Sequence, residues 1–238
     1  MHRWMKSKLL VSFLFCSFLV AEMLSVEMEK PMKTYAAEKN REIAIGSIVT
    51  FGSYEQDNDP EDGCEPLEWI VLDQKEDRIL LLSRYVIDGK RYHSARTDIT
   101  WESCDLRDWL NHEFFQTAFS EKQQEQIVET GVKNSDNKQY DAYGGNDTYD
   151  HVFLLSLEEV GKYTGSDWER EAIATKYAKE QGVGIVEEDE SADWWLRSPG
   201  DNTDCAAYVF SSGGVNIDGK LVDTDDAGVR PALWVKLD

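Results

Sequence analysis

Short apolar runs closed by glycine, proline and aspartate turns stand at both ends of this chain, and segments of helical period lie between them. From Ile43 the sequence reads IAIGSIVTFGSYEQ, then the polar loop DNDPEDGCE, then PLEWIVLDQKEDRILLLSRYVI. These predict two or three strands joined by a loop over 57–63 and a tighter turn near Asp77. WWLRSP, CAAYVFSSGGVNIDGKLV and GVRPALWVKL close the chain as further strands with glycine turns. In between, Leu106, Trp109, Leu110 and Phe114 recur at helical spacing, with Thr100 or Ser103 as N-cap. SEKQQEQIV predicts a short helix capped by Ser120, and HVFLLSLEEVGKY a buried strand leading into a helix capped by Ser156. SDWEREAIATKYAKEQG predicts one helix from Ser166 or Asp167 to a stop at Gly182, and NSDNKQYDAYGGNDTYD a long polar loop. Strands flanking helices in this order specify an α+β fold, a single domain over 43–238 with antiparallel sheets and flanking helices, not a doubly wound parallel sheet.

The first residues read as an address. MHRWMKSK is a positive n-region, LLVSFLFCSFLVA an apolar core, and TYAAEK a cleavage site. The expectation is a signal peptide over 1–36 cut near Ala36, a polar spacer over 37–42, and a bacterial protein that is secreted or held at the cell surface; an uncleaved N-terminal anchor is the alternative. LFCS lacks the small residues that precede a lipidated cysteine. The net charge of -21 repels phosphate backbones and anionic lipid, which argues against nucleic acid and, beyond such an anchor, against a membrane partner. Cys64, Cys104 and Cys205 remain after the leader. An odd number in an exported chain allows one disulfide at most, and a Cys104–Cys205 bridge would leave Cys64 as the reactive thiol.

The stretch WWLRSPGD, from Trp194 to Asp201, sets two tryptophans against a fixed positive charge. In a strand, Trp194 and Leu196 face one way and Trp195 and Arg197 the other. One reading is a ligand platform made of Trp195 and Arg197, with Asp201, Asn202, Asp204, Tyr208 and Asn216 lining it. The preferred reading is structural: Arg197 and Arg230 are rare charges in apolar strands, and buried guanidiniums need partners, so both would be tied to carboxylates with Trp195 stacked over Arg197. Calcium is the one metal the sequence suggests. Asp57, Asp59, Glu61 and Asp62, or Asp218, Asp223, Asp225 and Asp226, would supply oxygens, with solvated acidic turns as the plainer account. His93, His112 and His151 stand in no nucleophile elbow and no HExxH motif.

Six stretches, IGSIVTFGSYEQDND, PLEWIVLD, TWESCDLRDWLN, VFLLSLEEV, WWLRSPG and GVRPALWV, together resemble a family of domains of unknown function, family 6273, found in exported proteins of Gram-positive bacteria. That resemblance spans nearly all of the chain after its leader and brings no established activity. The last third also resembles the C-terminal sheet of C-type-lectin-like folds, including bacterial adhesin modules and the formylglycine-generating sulfatase activators, through Trp194 and Trp195, Ala206 to Val209, Gly214 and Val215, and Val229 to Pro231. The likeness implies a C-type-lectin-like C-terminal sheet. The activators hold copper on two nearby cysteines; here Cys205 stands alone in the matching region, which counts against oxidase chemistry. The expectation is therefore a noncatalytic binding module for a glycan, a cell-wall polymer or a protein, without a cofactor. A cell-wall enzyme and a purely structural interaction domain are the alternatives.

Overall fold

The computed structural model describes residues 43–237; the leader, its cleavage site and the spacer lie outside them. Two sheets carry the fold. The first has the strand order β1-β2-β3-β11, formed by β1 (Ile48–Tyr54), β2 (Glu65–Lys75), β3 (Arg78–Ser83) and β11 (Ala232–Lys236), all antiparallel. The second has the order β4-β10-β7-β8-β9, formed by β4 (Asp88–Gly89), β7 (Trp194–Pro199), β8 (Cys205–Val209), β9 (Val215–Leu221) and β10 (Gly228–Val229), antiparallel except for β10 against β7. The expected α+β class with mainly antiparallel sheets is what the chain adopts. Among the described residues no helix is long and apolar enough to cross a membrane.

Two links join the sheets along the chain. The chain passes from β3 in the first sheet to β4 in the second, and returns from β10 to β11 through Arg230 and Pro231. Alternation explains how the first sheet faces two environments. On β2, Leu67, Trp69 and Val71 are buried, while the register sets Ile70 between Ile48 on β1 and Leu82 on β3, a cross-strand apolar row on the opposite face. β1 is bulged between Thr50 and Ser53. Gly52 sits there at φ 76°, and a Cβ would stand 2.6 Å from the Phe119 ring, so only glycine fits.

The helical middle is more broken than its period suggests. Trp101–Ser103 forms a 3₁₀ turn behind Thr100, and the helix α1 (Asp105–Trp109) starts from Cys104, whose Sγ accepts from the Arg107 amide. A π-helical turn over Leu110–Phe114 passes into α2 (Phe115–Ala118). Ser120 and Ser156 do cap α3 (Glu121–Gln126) and α4 (Leu157–Tyr163), each in a reciprocal box with Gln123 and Glu159. The single helix expected from Ser166 to Gly182 is two: α5 (Asp167–Arg170) and α6 (Lys176–Glu180), the second capped by Thr175. Between them Ile173 and Ala174 bridge to Ser191 and Val86, so tertiary pairing overrides helical period there. The stop is placed as expected, with Gly182 at φ 102°.

Part of the long polar loop is also ordered. β5 (Thr130–Val132) pairs with β6 (Thr148–Asp150). Between them the buried Asn137 donates to the carbonyls of Pro199, Gly200 and Ile217, which ties the loop to the β7–β8 turn and to β9. Buried Asp150 accepts from Arg107 Nε at 2.6 Å, Trp101 Nε1 at 2.8 Å and Thr148 Oγ1 at 2.8 Å. Both oxygens of that buried carboxylate are thereby hydrogen-bonded.

Candidate functional site

Trp195 and Arg197 do not form an exposed ledge. Every residue of β7, the central strand of the second sheet, is buried. Trp195 is 0% exposed and its Nε1 donates to the Lys90 carbonyl at 2.9 Å; its ring meets Tyr92 edge-on at 5.9 Å. Arg197, 2% exposed, lies over Phe153 at 5.8 Å and not under Trp195. Its Nη1 pairs with Glu159 and donates to Leu154 O at 2.6 Å, and Nη2 donates to Lys133 O at 3.0 Å. The structural reading of Arg197 therefore accounts for these contacts. The carboxylate expected for Arg230 is absent among the described residues.

The other residues assigned to the platform scatter over partners of their own. Asp204 pairs with Arg96 at 3.0 Å. Tyr208 is buried and its hydroxyl accepts from Asn216 at 3.2 Å, while Asn216 Oδ1 accepts from the Gly219 amide. Asp201 and Asn202 are exposed on the turn. Three of the four acids in the second run have protein partners: Asp218 accepts from Tyr140, Asp225 from Arg91 and Asp226 from Lys220, which leaves Asp223. Around the first, Glu55, Asp57 and Glu65 bring one oxygen each within 4.8 Å of one another. Glu65 already accepts the amides of Gln56 and Asp57, and Asp59, Glu61 and Asp62 stand outside that trio. Asp57, then burial, Asp59 and Glu65, push the Asp62 carboxyl above its usual pKa, as expected of acids that share a turn.

The three cysteines are free thiols, so the Cys104–Cys205 bridge is not formed. Cys104 is buried, with burial pushing its thiol up to about 12; Cys205 is pushed up to about 12 by burial and then by Asp204 and Asp201. Both are inert at neutral pH. His93 Nδ1 faces Asp105 at 3.1 Å, and Ser94, through its hydroxyl and amide, holds that carboxyl below its usual pKa. The serine thus turns to the acid and not to the imidazole.

A cleft elsewhere has the features of a site. The apolar row Ile48, Ile70 and Leu82 lines it from the sheet, Ile45 and Gly46 from the approach to β1, Tyr85 from the β3–β4 link, and Tyr163, Trp168 and Ile173 from the α4–α6 region. Its volume is about 740 Å³, within the usual range for small-molecule sites. Trp168 is 72% and Ile45 67% exposed, and Ile48 and Ile173 are exposed beside them. Four large apolar side chains gathered at one opening are uncommon on a surface that otherwise scatters them.

Local structure fixes this wall. Trp168 lies on α5, where Ser166 and Glu169 form a capping box. Arg170 pairs with Asp167 and donates from Nε to Gly213 O at 2.7 Å and from Nη1 to Thr164 Oγ1 at 3.2 Å. The Arg170 carbonyl then accepts twice, from Trp194 Nε1 at 3.0 Å and from Arg230 Nη1 at 2.9 Å. Here is the use of the first tryptophan in WWLRSPGD: it anchors the turn that presents Trp168. Arg230 lines the cleft, is 1% exposed, donates from Nε to Ser83 O at 2.9 Å and rests on the Trp194 ring at 4.9 Å. Burial lowers its pKa to about 9, still charged at neutral pH.

The sequence reading missed Trp168, Ile45, Ile48 and Ile173. One signal was present, an indole isolated among charges in SDWER. A family model, a domain of unknown function (DUF6273), matches residues 76–237. The chain belongs to the DUF6273 family. The match begins just before β3, so IGSIVTFGSYEQDND and PLEWIVLD, taken above as part of the resemblance, fall outside it. The cleft straddles that edge: Leu82, Tyr85, α5 and Arg230 belong to the DUF6273 region, Ile45, Ile48 and Ile70 precede it. No curated protein and no solved structure matches the chain, so the C-type-lectin likeness rests on sequence motifs alone.

Proposed function

We propose that this DUF6273 protein is an exported, noncatalytic binding module that takes a group of its ligand, whether glycan, wall polymer or protein, into the Trp168 cleft. The observation that carries the reading is the exposed indole of Trp168 on a turn held rigid by Arg170, above an apolar floor set by strand register. An aromatic face carried on an ordered turn, with only two side-chain torsions to fix on binding, is a favourable contact surface. None of His93, His112 and His151 lines the cleft, and its carboxylates, Glu169 and Glu171, sit with no base-and-nucleophile pair among the described residues. The ligand site thereby moves from the Trp195–Arg197 pair to Trp168 and its neighbours.

A glycan and wall-polymer array probed with the wild-type protein and with Trp168→Ala tests the reading. Signals that fall at least tenfold in the variant support it. Array binding that is indifferent to Trp168→Ala would place the site elsewhere.

A further inference from the structure

The lining of the cleft holds a charge, that of Arg230, which no carboxylate among the described residues neutralises. Arg230 is 1% exposed, and among the described residues no carboxylate pairs with it. Its contacts are two backbone carbonyls, Ser83 O through Nε and Arg170 O through Nη1, and the Trp194 face; among the described residues Nη2 has no protein acceptor. Every other acidic group at the opening is engaged or outward. Glu169 accepts the Gly165 and Ser166 amides, Glu68 takes Arg84 at 2.7 Å, and Glu171 is exposed on the rim. In a chain with 46 acidic residues against 25 basic ones, a buried guanidinium without an acid is a selective omission. A buried charge favours an incoming counter-charge, because the charge-assisted hydrogen bonds they form offset the water that the carboxylate sheds on entry.

We propose that the cleft binds a small monocarboxylate with an apolar body, its carboxylate on Arg230 and its hydrocarbon or aryl part along Ile48, Ile70, Leu82 and Trp168. This goes beyond the binding-module reading, since the occupant is a free small acid and not a group of a polymer, and it rests on that reading for the cleft as the binding site. The lining carries two cations, Arg84 and Arg230; Glu68 holds Arg84, which leaves Arg230 to take one acid group, beside walls that are apolar along Ile48, Ile70, Leu82 and Ile173. A short aliphatic or aryl acid meets both demands, whereas a peptide terminus would also bring amides for which the walls offer few partners. The neutral amide of the same body keeps the apolar contact and loses the charge-assisted hydrogen bonds.

Calorimetric titration of the full chain with decanoate and with decanamide decides the matter. Decanoate should bind at least tenfold tighter than decanamide. Arg230→Met should erase that difference by weakening decanoate alone, and Arg230→Lys should restore part of it. Trp168→Ala should weaken both ligands by a similar factor. Equal affinities for acid and amide, both reduced by Trp168→Ala, would overturn the carboxylate assignment and leave the cleft as the binding site. A decanoate preference that survives Arg230→Met, binding of neither probe, or binding only of a short apolar peptide acid would also overturn it; array binding lost with Trp168→Ala would then still uphold the module reading.

Discussion

Arg197 and Arg230 are buried to nearly the same degree, and each sits in an apolar strand context against an aromatic ring. Their surroundings differ in the acceptors: Arg197 Nε is buried without a partner among the described residues, whereas Arg230 Nε donates to Ser83 O. Arg197 has Glu159, whose carboxylate also caps α4 by accepting the Ser156 amide, so one acid serves the helix start and the guanidinium together. Arg230 has carbonyls only, at the point where the chain crosses from the second sheet to the first. A paired buried charge locks the loops around it, whereas an unpaired one is a standing cost of desolvation that the fold retains beside an open cleft. Burial alone therefore does not separate structural arginines from functional ones. The identity of the acceptors does.

The sharpest way to break that comparison is Arg197→Met. It strands Glu159 and removes donors from Leu154 O and Lys133 O, and loss of one member of a buried pair costs about 3 to 5 kcal/mol. The lower end applies, since Glu159 retains partial access to water. Chemical denaturation should show the loss directly, with a lowered midpoint and an unchanged slope.

Arg230→Met should cost less, about 1 kcal/mol, because an unsatisfied Ser83 carbonyl is offset by removal of a desolvated charge. The Arg170 carbonyl keeps Trp194 Nε1. A cost as large as that of Arg197→Met would mean that the Arg230 charge is structural after all.

Trp168→Ala sharpens the contrast from the other side. The indole is 72% exposed, so its loss should move stability by no more than about 0.5 kcal/mol while weakening ligand binding. A thermal melt that falls by many degrees would make Trp168 a packing residue.

The smallest effect concerns the thiols. At pH 8 a disulfide reagent should label Cys64 alone in the folded protein, with Cys104 and Cys205 reacting only on unfolding. Partial burial, then Glu55 and Glu65, raises the Cys64 pKa, so its labelling should be slower than that of a free thiol and should accelerate as pH rises. Three equally fast thiols would contradict the burial of Cys104.

What was legible in the sequence was mostly local. Ser120, Ser156 and Ser166 announce helix starts because the capping box closes within four residues, with Gln123, Glu159 and Glu169 in the right place. Leu67, Trp69 and Val71 announce a strand by period two. The turn at Glu76–Asp77 follows from the ends of β2 and β3. What failed depended on distant partners. Ile173 lies in a helical pattern, yet Ser191 and Val86 hold its segment extended. Trp195 alternates as an outward residue would, but Tyr92 and the Lys90 carbonyl cover that face. The cleft was invisible for the same reason: Ile48, Leu82, Trp168 and Arg230 are far apart in the chain and meet only through sheet register and the β10–β11 crossing.

The central claim is that Arg197 is neutralised within the fold and Arg230 is not. Urea unfolding of Arg197→Met and Arg230→Met side by side, without any ligand, tests it most directly. Arg197→Met should lose at least about 2 kcal/mol more than Arg230→Met, the difference between stranding a buried partner and removing an unpaired charge. Equal losses, or a larger loss for Arg230→Met, would contradict the account and return both arginines to a structural role.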